Sequence, residues 1–328
     1  MQDFLFDDFK PSCTRETWIL RQQLLLRVRT FFAERNVLEV ETPVLSRACG
    51  TDPNLDYFKT AAKCNASDPE RYMMTSPEFH LKRLVAAGFG DVYALARSFR
   101  KDESGVRHNT EFTMAEWYRV GMPMERLMQE VEELCSEILG RDIHAKRTRW
   151  VDAFKNYAGI DPYDTRAQSW KACCEKHGLP LFDYEEFRID EWRDYVMALV
   201  VEPALGMDGG EFIYDYPPSQ AALARTEVGP DGLPCAKRFE LYLGGTELCN
   251  GYQELTDAVE QERRFAEDQE IRKSLGKETP NEDRRFLAAL QHGMPECSGV
   301  ALGLDRLFAL ALGKKHIAEV MLFPDEIC

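Results

Sequence analysis

A mixture of helices and strands is the fold class this sequence predicts, and three observations predict it. Two alternating strand-like runs, Val92 to Phe99 and Phe112 to Val120, flank eleven mostly polar or charged residues, Lys101 to Glu111. A second pair of strands, within Ala236 to Leu255, meets across a Gly244-Gly245 turn. Leu20, Leu24, Val28 and Phe31/Phe32 recur at helical spacing ahead of both.

At 328 residues the chain can bury a sizeable core as one large domain or two, and 44% apolar with 30% charged residues is ordinary for a soluble globular protein. The balance of 41 basic and 56 acidic side chains leaves −15, the wrong sign for gripping phosphate backbones, so stable tRNA or DNA binding is not expected. The ten cysteines form no C-x-x-C pair and no zinc-like spacing with the six histidines, which suits reduced, mostly buried thiols. The acidic start MQDFLFDDFK lacks the pattern of a signal peptide. No run approaches the roughly 18 apolar residues of a membrane span. A soluble cytoplasmic protein with no membrane partner is expected.

In chain order, Ser12 or Thr14 caps a helix expected to run to about Arg35, with Asn36 as its stop. Val37 to Glu41 reads as a strand, ended by Thr42-Pro43. Met73 to Leu84 reads as a strand end and then a helix that Ser76 caps, with Pro77 at its first position. Glu78 then falls in the first turn, where the helix dipole favours a carboxylate.

The pair of strands around Lys101 to Glu111 carries most of the chemistry. Hairpin loops usually take about two to five residues, so a longer charged loop between good strands suggests binding. Side chains alternate along a strand: Phe112, Met114, Glu116 and Tyr118 share one face, and Thr113, Ala115, Trp117 and Arg119 the other. Arg100 supplies a planar fork of donors for phosphate or carboxylate, with Arg107 and His108 in the loop beyond. Read alone, the stretch also suits a surface hairpin with cross-strand charge pairs.

Met124 to Leu139 has the pattern of an amphipathic helix, and 151–157, 166–177 and 192–205 look helical. Residues 212–215, ahead of Pro217-Pro218, read as a strand and turn, while Trp170, Trp192 and Cys173-Cys174 are expected in packing. After a Gly/Pro-containing loop, 228–234, the second hairpin carries Glu240, Glu247 and Glu254 at a spacing of seven, with Asn250 and Gly251 between the last two. Ser298 to Arg306 reads as a strand turning into a helix that ends near Gly313. Gly303 lets backbone approach a ligand closely. Arg306 falls in a first turn, where the dipole disfavours a cation, a conflict that a bound anion or Asp305 would resolve.

Phe99-Arg100-x-acid, followed by Val106-Arg107-His108-Asn109-x-Glu111-Phe112-Thr113-Met114, resembles motif 2 of the class II aminoacyl-tRNA synthetases, in their lysyl branch. The first helix, strand and Pro43 resemble motif 1, and Ser298 to Arg306 resembles motif 3. Glu247-x-x-Asn250-Gly251-x-x-Glu254-Leu255 matches a lysyl pattern, so the resemblance covers roughly Trp18 to Phe323. It implies the class II α+β architecture, a mostly antiparallel sheet flanked by helices, as one catalytic domain over 1–328 that works as a homodimer through motif 1.

The same resemblance implies the roles. Ser76, Pro77, Glu78, Glu116, Tyr118, Asn250, Glu254 and Ala301 would contact the amino acid. Arg100, Lys101, Asp102, His108, Asn109, Phe112, Glu247, Leu248, Gly303 and Arg306 would bind ATP, Arg100 and Arg306 being catalytic. The adenine would lie between Arg306 and Phe112. Glu240 and Glu247 would hold magnesium on the phosphates, an ion satisfied with few carboxylates. Glu78, Glu116 and Glu254 are expected to converge without matching bases, which favours an amine-rich amino acid.

Two departures narrow the resemblance. Asp102 stands where the family usually has glutamate, so adenine recognition would pass to Glu103 or a water. Ala301 replaces a glycine of the lysyl motif 3, and an added methyl at a pocket wall changes which substrate backbone fits. Alanine here, with no anticodon-binding OB-fold ahead of motif 1, is similar to the elongation factor P (R)-β-lysine ligases. That implies ATP-dependent activation of (R)-β-lysine to an aminoacyl-adenylate and its transfer to a lysine ε-amine of elongation factor P. The rival readings are a lysyl-adenylating enzyme acting on tRNA or a metabolite, and a catalytically silent regulatory paralogue. Arg100, Glu240, Glu247 and Arg306 argue against silence.

Overall fold

The computed structural model describes residues 9–60, 70–180 and 188–328; Cys64 and the acidic tail up to residue 8 lie outside them. In chain order the first elements are α1 (Arg15–Glu34), β1 (Leu38–Glu39), β2 (Leu45–Ser46), β3 (Lys59–Thr60), β4 (Arg71–Met73), α2 (Glu78–Ala86), β5 (Val92–Phe99), β6 (Glu111–Val120) and α3 (Met124–Leu139). Then follow β7 (Lys146–Arg149), α4 (Trp150–Ala153), α5 (Ala167–Lys176), α6 (Ile189–Val196), β8 (Glu211–Tyr216), β9 (Thr226–Val228), β10 (Pro234–Leu243) and β11 (Thr246–Gln253). The last are α7 (Ala258–Ser274), α8 (Arg284–Gly293), β12 (Cys297–Gly303) and α9 (Leu304–Ala311). They form two compact units, one of Met1–Asp142 with Thr256–Cys328 and the other of Ile143–Leu255. Strand pairing is mostly antiparallel, with helices beside it: an α+β fold.

In the first unit the strands run β1-β5-β6-β12, with only β1 and β5 parallel, and a small sheet β2-β4-β3 stands apart. Thr14 caps α1, its hydroxyl accepting the Thr17 N–H at 3.2 Å. Leu24, Val28, Phe31 and Phe32 bury that helix, and Asn36 ends it in the left-handed region at φ 54°. The expected strand 37–41 is paired only at Leu38–Glu39. Strand parity in β6 is as the sequence predicts. On one face Trp117 packs on Phe32 and donates to Glu130 at 3.0 Å; the other carries Glu116 and Tyr118, which bond to each other.

A buried ion pair joins three of these segments. Arg21 of α1 lies 2.6 Å from Asp305 of α9, both side chains at most 3% exposed. Arg21 also donates to the Thr113 hydroxyl at 3.2 Å, and Asp305 accepts the Thr113 N–H at 2.6 Å. Asp305 is thereby committed to Arg21 and β6, which leaves the cation of Arg306 for another partner.

The second unit runs β11-β10-β8-β7, with β9 on the side of β10. Gly244 and Gly245 turn the β10–β11 hairpin with φ of 58° and 66°, values that favour glycine at both positions. Trp150, Trp170, Trp192 and the Cys173-Cys174 pair form its core, as expected of the last four. The helical stretches are less regular than the pattern suggests: α4 passes into a π-turn at Phe154–Ala158, and α6 into another at Met197–Val201.

Eight of the nine free cysteines among the described residues are buried, and Cys328 is exposed. Among the described residues no helix is long and apolar enough to cross a membrane.

Candidate active site

The loop before α2 and the middle of β6 bring four of the expected substrate residues together. Ser76 donates to Glu116 at 2.6 Å and accepts the Glu78 N–H at 3.1 Å, while Tyr118 donates to the other Glu116 oxygen at 2.8 Å. Pro77 is the residue flanking α2 rather than its first: its ψ of 1° is not helical, and its carbonyl accepts the Leu81 N–H at 3.1 Å to open the helix. Glu116 is buried. Burial, and then the Glu78 charge, push its carboxyl up to about 8.

Across the strands Glu116 faces Ala94 on β5 and Ala301 on β12. Directly opposed residues share a face, so two short side chains border the carboxylate.

The expectation of acids without a base needs correction. Lys82, fully buried one turn into α2, donates to Glu78 at 2.6 Å and lies 6.0 Å from the Tyr118 ring. A buried carboxylate is costly unless paired, and Lys82 offsets one of the two here. Glu254 is buried in the second unit, at the end of β11.

The expected nucleotide residues of the first unit fall into two groups. The Arg100 guanidinium lies 5.2 Å over the Phe112 ring and 3.9 Å from Glu103. Arg306, in the first turn of α9, donates to the Arg107 carbonyl at 3.1 Å and meets His108 Nε2 at 2.7 Å. Burial, and then Arg306, hold the imidazole below the usual histidine range, so that its Nε2 can accept. Gly303 sits at the N-terminus of α9, in register with Met114.

Asn109 is buried, donating to the Glu111 carbonyl at 2.8 Å and accepting the Asp325 N–H at 2.9 Å. Lys101 and Asp102 form an exposed turn in which Asp102 takes φ 62°, a conformation aspartate tolerates better than most residues. Glu103, not Asp102, stands beside Arg100.

In the second unit Glu240 accepts the hydroxyls of Tyr216 and Tyr242 at 2.5 and 2.6 Å and an Arg238 N–H at 2.6 Å. Burial, and next the Glu240 charge, raise both phenols well above their ordinary value, so they remain donors. Glu247 is half-buried and opposes Tyr242. Leu248 puts its side chain in the core.

A carboxylate has about four acceptor sites, and three of Glu240's are taken. One site on Glu240 and the carboxylate of Glu247 suit magnesium, which takes one or two carboxylates and completes its shell from phosphate and water. Among the described residues there is no group of three or more His, Cys, Asp or Glu placed to hold a metal ion.

Lys82, Arg238, Tyr216, Tyr242 and Tyr252 were not singled out in the sequence. Strand parity could have found Arg238 and Tyr242, which lie two residues either side of Glu240 and share its face. Lys82 is the i+4 partner of Glu78, the spacing of a helical ion pair.

The family model described as tRNA synthetases class II (D, K and N) matches residues 6–327. The chain is 42% identical over 322 residues to the elongation factor P--(R)-beta-lysine ligase of Hamiltonella defensa, spanning 97% of this chain and 98% of that protein. It is 43% identical over 321 residues to the protein of the same name from Proteus mirabilis, 97% of each. For that of Vibrio cholerae the identity is 42% over 319 residues, 97% of this chain and 98% of the relative.

Proposed function

We propose, for a chain that belongs to the class II tRNA synthetases (D, K and N), that it is an AMP-forming ligase joining (R)-β-lysine to a lysine of elongation factor P. Relatives of that name match nearly end to end. The observation that carries the substrate reading is the buried Glu116, held by Ser76 and Tyr118 and bordered by Ala94 and Ala301. A buried carboxyl that an ammonium would ionise, with the methyls of Ala94 and Ala301 beside it, suits a cationic amino acid whose backbone differs from that of α-lysine. The relatives' names favour neither the tRNA- or metabolite-charging rival nor the silent paralogue.

In the first step a carboxylate oxygen of the amino acid attacks the α-phosphorus of ATP, forming the acyl phosphate bond as pyrophosphate leaves. In the second the acceptor's ε-amine, as the free base, attacks the acyl carbon; the amide bond forms, AMP departs with the electron pair of the broken bond, and the amine's proton goes to solvent. No side chain is a covalent nucleophile. Ser76, Glu116 and Tyr118 orient the amine, while Arg100 and Arg306 place fixed positive charge where phosphate charge develops. Magnesium, held by Glu247 and the remaining site on Glu240, would neutralise phosphate charge when bound.

A single catalytic domain and a cytoplasmic homodimer complete the reading. Ile19, Leu20 and Leu26 of α1, with Leu38, Val44 and Leu45, are exposed apolar residues of the motif 1 region, as a surface for a second copy would be. Light scattering at a monomer mass would overturn that part. The net charge of −15 argues against stable tRNA binding.

The acceptor is tested by incubating the enzyme with ATP, (R)-β-lysine and purified elongation factor P, followed by intact mass. A gain of one β-lysyl group on one lysine is expected; an unchanged mass beside active adenylate formation would reject that acceptor.

A further inference from the structure

Arg238 on β10 faces Tyr252 on β11, and Glu240 faces Asn250, so the four side chains share one face of the hairpin. The Arg238 guanidinium is mostly buried and lies 4.5 Å over the Tyr216 ring. Its three nitrogens each have a different acceptor: Asn250 Oδ1 at 3.1 Å, the Gln220 carbonyl at 2.9 Å and Glu240 Oε1 at 2.6 Å. Asn250 in turn donates from Nδ2 to the Tyr252 hydroxyl at 2.7 Å.

An asparagine amide can rotate by half a turn with almost no change of shape, exchanging an acceptor for a donor. A guanidinium has no acceptor to offer, so Arg238 admits only Oδ1 on its side. Nδ2 is left facing Tyr252, with its second N–H still to give. Glu240 keeps the fork in plane, and the Tyr216 ring keeps it from tilting.

We propose that Arg238 and Tyr252 are positioning residues that lock the Asn250 amide in one orientation, so that it offers a ligand an N–H rather than an oxygen. The consequence is selectivity at a single amide: a carboxylate or carbonyl oxygen of the amino acid is accepted there, and an ammonium is not. This rests on the amino-acid-activating reading of the chain. Arg238 acts through Asn250 and needs no contact with the reacting atoms.

The test is steady-state amino-acid-dependent ATP/pyrophosphate exchange with Arg238→Lys, Asn250→Ala, their double variant and Tyr252→Phe, each checked for cooperative unfolding. Lysine keeps the charge for Glu240 but loses the fork. Arg238→Lys is expected to raise the KM for the amino acid about 10- to 100-fold while moving the KM for ATP less than about threefold. The double variant should be no worse than Asn250→Ala, since residues acting through one group do not add.

Tyr252→Phe preserves volume and should raise the same KM about threefold to tenfold; should Arg238→Lys fail to fold, this variant decides. An unchanged KM for Arg238→Lys, losses that multiply in the double variant, or an unchanged KM for Tyr252→Phe would each overturn the inference while leaving the activity intact. A wild-type enzyme silent with every amino acid would remove the activity reading and this inference together.

Discussion

Ala301 sits directly across from Glu116 in the pairing of β12 with β6. Its methyl therefore stands beside the carboxylate that the amine of the substrate would meet. One methylene in a pocket is worth about 10- to 200-fold in discrimination. Ala301→Gly is expected to shift the ratio of kcat/KM for α-lysine over β-lysine upward by about 10-fold or more. An unchanged ratio would show that this wall does not read the substrate backbone.

Glu116 links the slot to pH. Its folded value, about 8, lies above the ordinary 4.5, so between those values the folded protein holds a proton that the unfolded chain has released. Stability contributed below pH 4.5 is consequently lost as pH rises toward 8. Glu116→Gln should melt higher than wild type at pH 8 and not at pH 4, by calorimetry. Because an ammonium favours the ionised carboxylate, the amino-acid KM of the wild type should fall from pH 6 to pH 8, and the variant should lose that dependence.

The contact of Arg306 with His108 requires an unprotonated Nε2. Arg306→Ala should lower kcat for adenylate formation about 100- to 1,000-fold, as expected for removing fixed charge from a transition state. His108 is held below the usual histidine range, so its contact with Arg306 is present at neutral pH and lost as pH falls through that depressed value. His108→Ala should raise the KM for ATP and abolish the acid-side rise in that KM seen in the wild type. A matching acid profile in both would remove the imidazole from the account.

Arg21 and Asp305 carry structure rather than chemistry. Arg21→Met leaves the Asp305 charge buried, and losing one partner of such a pair costs about 3–5 kcal/mol. Urea unfolding should show that loss; a change below about 1 kcal/mol would mean that Asp305 keeps adequate partners in Thr113 and water.

Much of this was legible in the chain. The β5–β6 pair, α3 from Met124 to Leu139 and the turn at Gly244-Gly245 follow from alternation, helical period and glycine at positive φ. Strand parity placed Glu116 beside Tyr118. Other elements were silent: β7, Lys146–Arg149, is three basic residues around one threonine, with no alternating apolar face.

Helix α7 was unassigned, although Asp257 caps it, because it is so polar that its buried stripe reduces to Gln261, Phe265 and Arg272; α8 was legible but not assigned, for Asp283 caps it and Phe286, Leu287 and Leu290 bury one face. Among site residues, the carboxylates were visible as types and their partners only in part. The spacings of Lys82 from Glu78 along α2 and of Arg238 from Glu240 along β10 permit those pairs; that Tyr216 of β8 also reaches Glu240 depends on how neighbouring strands pair, which spacing alone does not carry.

Activation of a β-amino acid at this site is measured by amino-acid-dependent ATP/pyrophosphate exchange, run with (R)-β-lysine, (S)-β-lysine, L-α-lysine and no amino acid. Strong preference for (R)-β-lysine is the predicted result; preference for L-α-lysine, or no exchange with any of them, would contradict it.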